Sequence, residues 1–291
     1  MHKRNRVRLL ALVILAQWLS ACSMGQIVAR TSVSIMDGSV DAMNRETDLA
    51  LAATAIPANL KLMEGLIVED PGNTDLPVYA AQGFYGYAFG FVELSDPARA
   101  TALYHRGFEY ARRVLKQHGL SLDIVNSPAD TLRQAVNRLG HESVPALFWA
   151  ASCWAKKIDL NRNDPAHIAQ LASTEILMRR VFELDPDYYY GSPYLFYGVY
   201  YGGRAPMFGG DYSKSAQNFD RARAVTKGKL LIVDVLQAEY LERQRLDRQR
   251  FHALLEQVIA TPPGSFPEMA LANQIARARA RWLLGKEEDW F

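Results

Sequence analysis

The sequence predicts an all-α protein. Apolar residues recur at three- and four-residue spacing along most of the chain, period-two alternation is nearly absent, and helix starts are marked by Asp or Ser beside proline. Asp96-Pro97, Ser127-Pro128, Ser143 with Pro145, Asp164-Pro165 and Ser192-Pro193 each set a capping side chain near a residue whose fixed φ suits the first helical turn. Of 291 residues 49% are hydrophobic, enough for a sizeable core, and about ten helices joined by short loops are expected.

In chain order, Lys3, Arg4, Arg6 and Arg8 form a basic leader. The apolar run from Leu9 to Trp18, interrupted only by Gln17, is too short for a stable bilayer span and suits a signal segment. It ends in Leu19-Ser20-Ala21-Cys22, which resembles the bacterial lipobox. That resemblance implies cleavage of residues 1–21 and lipidation of Cys22; the alternative is an ordinary secretory signal with Cys22 incidental. Ser23 in place of an aspartate implies, by resemblance to enteric lipoproteins, the outer membrane. Cleavage would leave 270 residues and change the formal charge from +2 to −2, because four basic residues and no acid leave. This near-neutral chain gives no electrostatic footprint for nucleic acid. Cys153 then has no partner within the chain, and in the apolar run "FWAASCWAKKI" it reads as a small core residue.

Residues 22–44 carry small and polar residues with "MDGS" as a turn signal, and read as a tether before a single domain spanning 45–291. Beyond it, Val114 and Leu115 end one helix, Leu171, Leu177, Met178 and Val181 run through another, and Leu254, Leu255, Val258 and Ile259 sit in a third. The domain carries an internal duplication. "EDPGN" at 69–73 is echoed by "LDPDY" at 184–188, an offset of 115, and "FYGYAFG" at 84–90 by "FYGVYYG" at 196–202, an offset of 112. After a three-residue gap Asp96 aligns with Asp211, Ala100 with Ser215, Tyr104 with Phe219 and Gly107 with Ala222. The two units run over about 57–117 and 166–226. Each reads as a helix ending at Asp-Pro, an aromatic–glycine helix and an amphipathic helix.

The small-x₃-aromatic-x₂-small spacing of the third helix, clearest in "GGDYSKSAQNFDRARAV", resembles a tetratricopeptide (TPR) repeat. The recurrence is not 34 residues and the first-helix pattern is blurred, so TPR-like hairpins wrapped into a compact superhelical body are expected. The lipobox followed by "AAQGFYGYAFGFVE", "ALYHRGFEYA", "LMRRVFELDPDYYYG", "PMFGGDYSKSAQNFDRA" and "EMALANQIARARARWLL" resembles the TatT family of TRAP-transporter-associated TPR lipoproteins. The resemblance covers about residues 45–285. It implies a periplasm-facing envelope lipoprotein without enzymatic activity or cofactor, a homo-oligomer with a trimer as the expected state, and cooperation with a TRAP substrate-binding protein over small apolar or amphipathic ligands.

The residues themselves do not point to catalysis. The histidines are scattered, with no pair at metal-ligand spacing. "GGRAPMFGG" at 202–210 lacks the preceding strand and the Lys-Ser/Thr of a phosphate loop and reads as a long turn. "YLERQRLDRQR" at 240–250 reads as a solvated face, and "ARARARW" at 276–282 as arginine stems covering apolar surface.

The aromatic–glycine stretches are the candidate site. On a helix Gly83, Gly86 and Gly90 share a face suited to close helix contact, and Phe84, Phe89 and Phe91 read as core. Buried tyrosine hydroxyls each need a partner, and "YYYGSPYLFYGVYY" holds more of them than a dry core satisfies easily. The expectation is that helices 82–91 and 193–202 line one cavity, with Tyr85, Tyr87, Tyr197 and Tyr201 as ligand contacts and Arg204 as a partner for a ligand carboxylate. A scaffold lipoprotein holding peptide in an open groove is the competing reading, and an envelope enzyme with an acid–base pair in a cleft is the third.

Overall fold

Carboxylates start the helices more often than hydroxyls do. Asp96 accepts from the Arg99 N–H and Asp164 from the Ala166 N–H. Ser143 instead meets His118 Nδ1 at 2.9 Å, and Ser192 donates to the Tyr189 carbonyl at 2.6 Å. Asp48, Asp211 and Asp247 cap three further helices. A carboxylate both fills the free N–H groups and meets the positive end of the helix dipole.

The computed structural model describes residues 24–291, which form helices and no strand. The N-terminal helices are α1 (Met24–Thr31), α2 (Val33–Asn44), α3 (Leu49–Glu69) and α4 (Asp75–Tyr87), the last running into a π-helical turn at Ala88–Val92. There follow α5 (Pro97–Gln117), α6 (Ala129–Val136), α7 (Val144–Asp159), α8 (Pro165–Ala169), α9 (Leu171–Leu184), α10 (Tyr188–Gly202) and α11 (Tyr212–Val225). The chain closes with α12 (Ile232–Gln237), a second π turn at Ala238–Glu242, α13 (Arg243–Arg245), α14 (Arg248–Ala260), α15 (Ala270–Leu284) and α16 (Glu287–Trp290). The all-α expectation holds.

Packing pairs α4 with α5, α5 with α7, α7 with α9, and α10 with α11. Gly107 of α5 lets α4 and α7 approach: a Cβ there would sit 2.8 Å from Cys153 Sγ and 3.1 Å from the Ala81 carbonyl. Residues at corresponding positions of the two units share environments. Asp96 and Asp211 each cap through the N–H three residues on, and Ala100, Tyr104, Ser215, Phe219 and Ala222 are all buried. Asp70 and Asp185 each leave helical geometry at the ends of α3 and α9, as the following proline requires.

The stretch 22–44, read from its composition as a tether, is helical over α1 and α2. Val33, Met36 and Val40 recur at helical spacing and find a partner surface: Ala29 and Met36 are buried, Arg30 pairs with Asp70 at 3.2 Å, and the Tyr79 hydroxyl donates to Asp37. Helix α3 is long and apolar enough by composition to cross a membrane, yet it packs against α1 and α4 and leaves Leu51, Leu62 and Val68 exposed.

Candidate functional site

The helices surround a cavity of about 430 Å³, within the usual range for small-molecule sites. Tyr85, Tyr87, Phe89 and Phe91 form one wall, with Tyr85 stacked on Phe89 at 6.2 Å and Tyr87 against Phe91 at 6.0 Å. Between these rings Gly86 meets nothing within 4 Å of where a Cβ would stand. The absent side chain is cavity volume. Gly83 and Gly90, by contrast, are tight against Leu60 and Ile275.

Helix α10 supplies a second wall through Ser192, Leu195, Phe196 and Val199. It begins with three left-handed residues, Tyr189, Tyr190 and Gly191, at φ of 45°, 61° and 76°. Left-handed backbone costs a non-glycine residue about 1–2 kcal/mol. Packing offsets that cost: the Tyr189 ring meets Trp149 edge-on at 5.2 Å, and its hydroxyl accepts from Gln82 at 3.3 Å. Helix α7 contributes Phe148, Trp149, Ser152 and Lys156; α2 and α3 contribute Met36, Val40, Leu60 and Met63. Leu236, Tyr240 and Ile275 complete the C-terminal side.

Beside Lys156 and Tyr240 the apolar wall gives way to a buried ion cluster. Lys156 Nζ donates to Glu93 Oε1 at 2.9 Å and Asp159 Oδ2 at 3.0 Å, and bonds the Tyr240 hydroxyl at 3.1 Å. Arg279 donates to Glu93 and Glu239, both at 2.8 Å, and its guanidinium lies 4.6 Å over the Phe89 ring. Tyr104 donates to Glu93, and Arg162 pairs with Asp159. Burial disfavours every charge here. At Glu93 the attraction of Lys156 and Arg279 outweighs it and lowers the carboxyl pKa; at Lys156 the surrounding Glu93, Tyr240 and Asp159 outweigh it and raise the ammonium. Burial raises the phenols of Tyr85, Tyr104 and Tyr240, so they stay protonated.

Tyr85 and Tyr87 therefore line the cavity as expected from the sequence, whereas Tyr197, Tyr201 and Arg204 do not. The Tyr197 hydroxyl donates to Glu175 at 3.3 Å with its ring against Phe182. Tyr201 stacks on Tyr197 at 6.0 Å, under Lys214. Arg204 lies 4.2 Å over the Tyr200 ring and donates to the Tyr200 carbonyl, away from any ligand carboxylate in the cavity. The cause is the rotation of α10, whose Gly198 and Gly202 press onto Phe219 and Ser215 of α11. Phe84 is core, but Phe89 and Phe91, also read as core, face the cavity. Cys22 lies outside the described residues.

Trp149, Lys156, Glu93 and Arg279 were not legible as site residues. A signal existed: Trp149, Ser152 and Lys156 share a face of a helix otherwise apolar, and a lysine on such a stripe needs a buried anion. Tyr240 and Glu242, read as part of a solvated face, are buried, as are Arg277 and Arg279. Cys153 is buried and its thiol pKa is raised by burial, which leaves it unreactive. Among the described residues no group of three or more His, Cys, Asp or Glu could hold a metal ion. The cavity lining is largely aromatic and aliphatic.

Over residues 45–291 this chain matches the model of the family described as TRAP transporter T-component. The chain belongs to that family. Its membership assigns this T-component an accessory role in TRAP transport and a place in the bacterial envelope. The chain is also similar to an uncharacterized protein of Treponema pallidum (strain Nichols), 23% identical over 262 residues that cover 84% of this chain and 81% of the relative.

Proposed function

We propose that this T-component is a non-enzymatic envelope lipoprotein that takes a small apolar or amphipathic molecule into its cavity and exchanges it with the periplasmic substrate-binding protein of a TRAP transporter. Anchoring through Cys22 to the outer membrane and self-association as a trimer belong to the same reading. The cavity carries it: about 430 Å³ lined largely by aromatic and aliphatic side chains. A scaffold presenting an open groove to peptide needs no such chamber, so the cavity favours the small-molecule reading over that alternative.

Gly86→Leu tests the proposal. The new side chain projects into open cavity, and leucine is favoured over glycine in a helix by about 0.5–1 kcal/mol. The variant is expected to melt at or above the wild-type temperature and to lose uptake of the neutral apolar dye Nile red, followed by fluorescence. Undiminished uptake by a folded variant would count against the cavity as the binding site.

A further inference from the structure

The cavity wall carries a polar group with nothing to bond. Tyr85 is packed between Phe89, Tyr104 and Trp149, with ring centroids at 6.2, 5.4 and 5.5 Å, and it lines the cavity. Its hydroxyl has no hydrogen-bond partner among the described residues. The half-buried side chain opens this hydroxyl onto the cavity, so an apolar ligand displacing water from it would leave it unpaired, a cost that a ligand oxygen reaching it would recover.

The neighbouring charges decide which oxygen that is. The cluster beside Tyr85 holds three acids, Glu93, Asp159 and Glu239, and three bases, Lys156, Arg162 and Arg279. It is balanced. The ammonium of Lys156, the base that itself lines the cavity, already bonds three oxygens, as many as its hydrogens allow. Arg279 keeps one unpartnered nitrogen, Nη1, but stands behind Phe89 rather than in the cavity lining. A carboxylate entering here would find no free cation and would leave the buried cluster with an excess negative charge. An alcohol or ester carbonyl brings no charge and needs only the phenol.

We infer that the cavity selects an uncharged amphiphile, an apolar body with one hydroxyl or carbonyl head seated on Tyr85, and excludes the corresponding carboxylate. This rests on the reading that the cavity is a ligand site. Tyr85 is the specificity-determining contact, and Glu93, through its hold on Lys156 and Arg279, is the positioning residue that keeps the charge balanced.

The test is displacement of Nile red by decanol and by decanoate, at about pH 8 where the carboxylate is ionised. The full chain, Tyr85→Phe and Glu93→Gln are compared, with thermal melting as the fold control. Decanol is expected to bind at least about tenfold more tightly than decanoate. Tyr85→Phe, which removes one oxygen, should cut decanol affinity about fivefold and leave Nile red uptake intact. Glu93→Gln makes the cluster net positive and should raise decanoate affinity without improving decanol. Should the glutamine variant fail to fold, Tyr85→Phe decides. Equal binding of the two probes, preference for decanoate, or a folded Tyr85→Phe with unchanged decanol affinity would each overturn the inference while leaving the cavity as a binding site. Failure of Nile red and both probes to bind would overturn the binding reading, and this inference with it.

Discussion

The two aromatic–glycine helices share a sequence pattern, FYGYAFG at 84–90 and FYGVYYG at 196–202, and are packed differently. In α4 and the π turn that continues it the rings at 85, 87, 89 and 91 all reach the cavity, whereas in α10 the positions aligned with Tyr85 and Phe89, Tyr197 and Tyr201, turn away. Two physical differences account for this. Helix α4 opens into a π turn at Ala88–Val92, which inserts an extra residue per turn and shifts the phase of the rings beyond it. Helix α10 is locked onto α11 through Gly198, where a Cβ would lie 2.9 Å from the Phe219 ring, so its rotation is set by that contact. At the aligned position in α4, Gly86 touches nothing. One glycine makes a helix contact and its counterpart makes space.

The sharpest way to break the comparison is at Glu93, directly after the first π turn. At the helix-aligning offset of 112 its counterpart is Ala205, so only the first copy has a buried carboxylate at this place. Glu93→Ala would leave Lys156 with Asp159 and Arg279 with Glu239, but the buried cluster would carry one uncompensated positive charge. The expected loss is about 3–5 kcal/mol, read by denaturant unfolding. Loss of less than about 1 kcal/mol would mean that the cluster relaxes freely and does not set off the first copy from the second.

A second contrast is smaller and more direct. Gly198→Ala should cost about 1–3 kcal/mol, because the new methyl group overpacks against Phe219, whereas Gly86→Ala should be neutral or stabilising by up to about 1 kcal/mol. The same substitution at aligned positions thus has opposite sign. Paired melting curves check it, and equal effects would show that α10 is free to shift away from α11.

The smallest effect is expected at the outward-turned tyrosine. Tyr197→Phe removes only the 3.3 Å bond to Glu175, worth about 0.5–1.5 kcal/mol, and should leave Nile red uptake unchanged. Weakened uptake in this variant, with the fold intact, would place the second tyrosine pair nearer the ligand than its packing indicates.

Much of the fold was legible in the sequence because it rests on local signals. Helical periodicity, Asp-Pro punctuation and the echoed units follow from backbone geometry and capping, which neighbouring residues decide. The aromatic–glycine segment of the first unit is recognisable for the same reason, and its Tyr85 and Tyr87 line the cavity. Helices α1 and α2 are weakly marked in the sequence because small residues carry little helix signal until a partner surface covers Ala29 and Met36.

Tertiary structure alone decided the facing of each ring and the pairing of each charge. Which side of α10 meets the cavity depends on how deeply Gly198 seats on Phe219, a contact between residues 21 positions apart on different helices. The cluster of Glu93, Lys156 and Arg279 joins residues as much as 186 positions apart. Sequence periodicity marks a stripe that will be buried, but Coulomb attraction in a dry interior depends on distances of a few ångströms, which only the packed chain supplies.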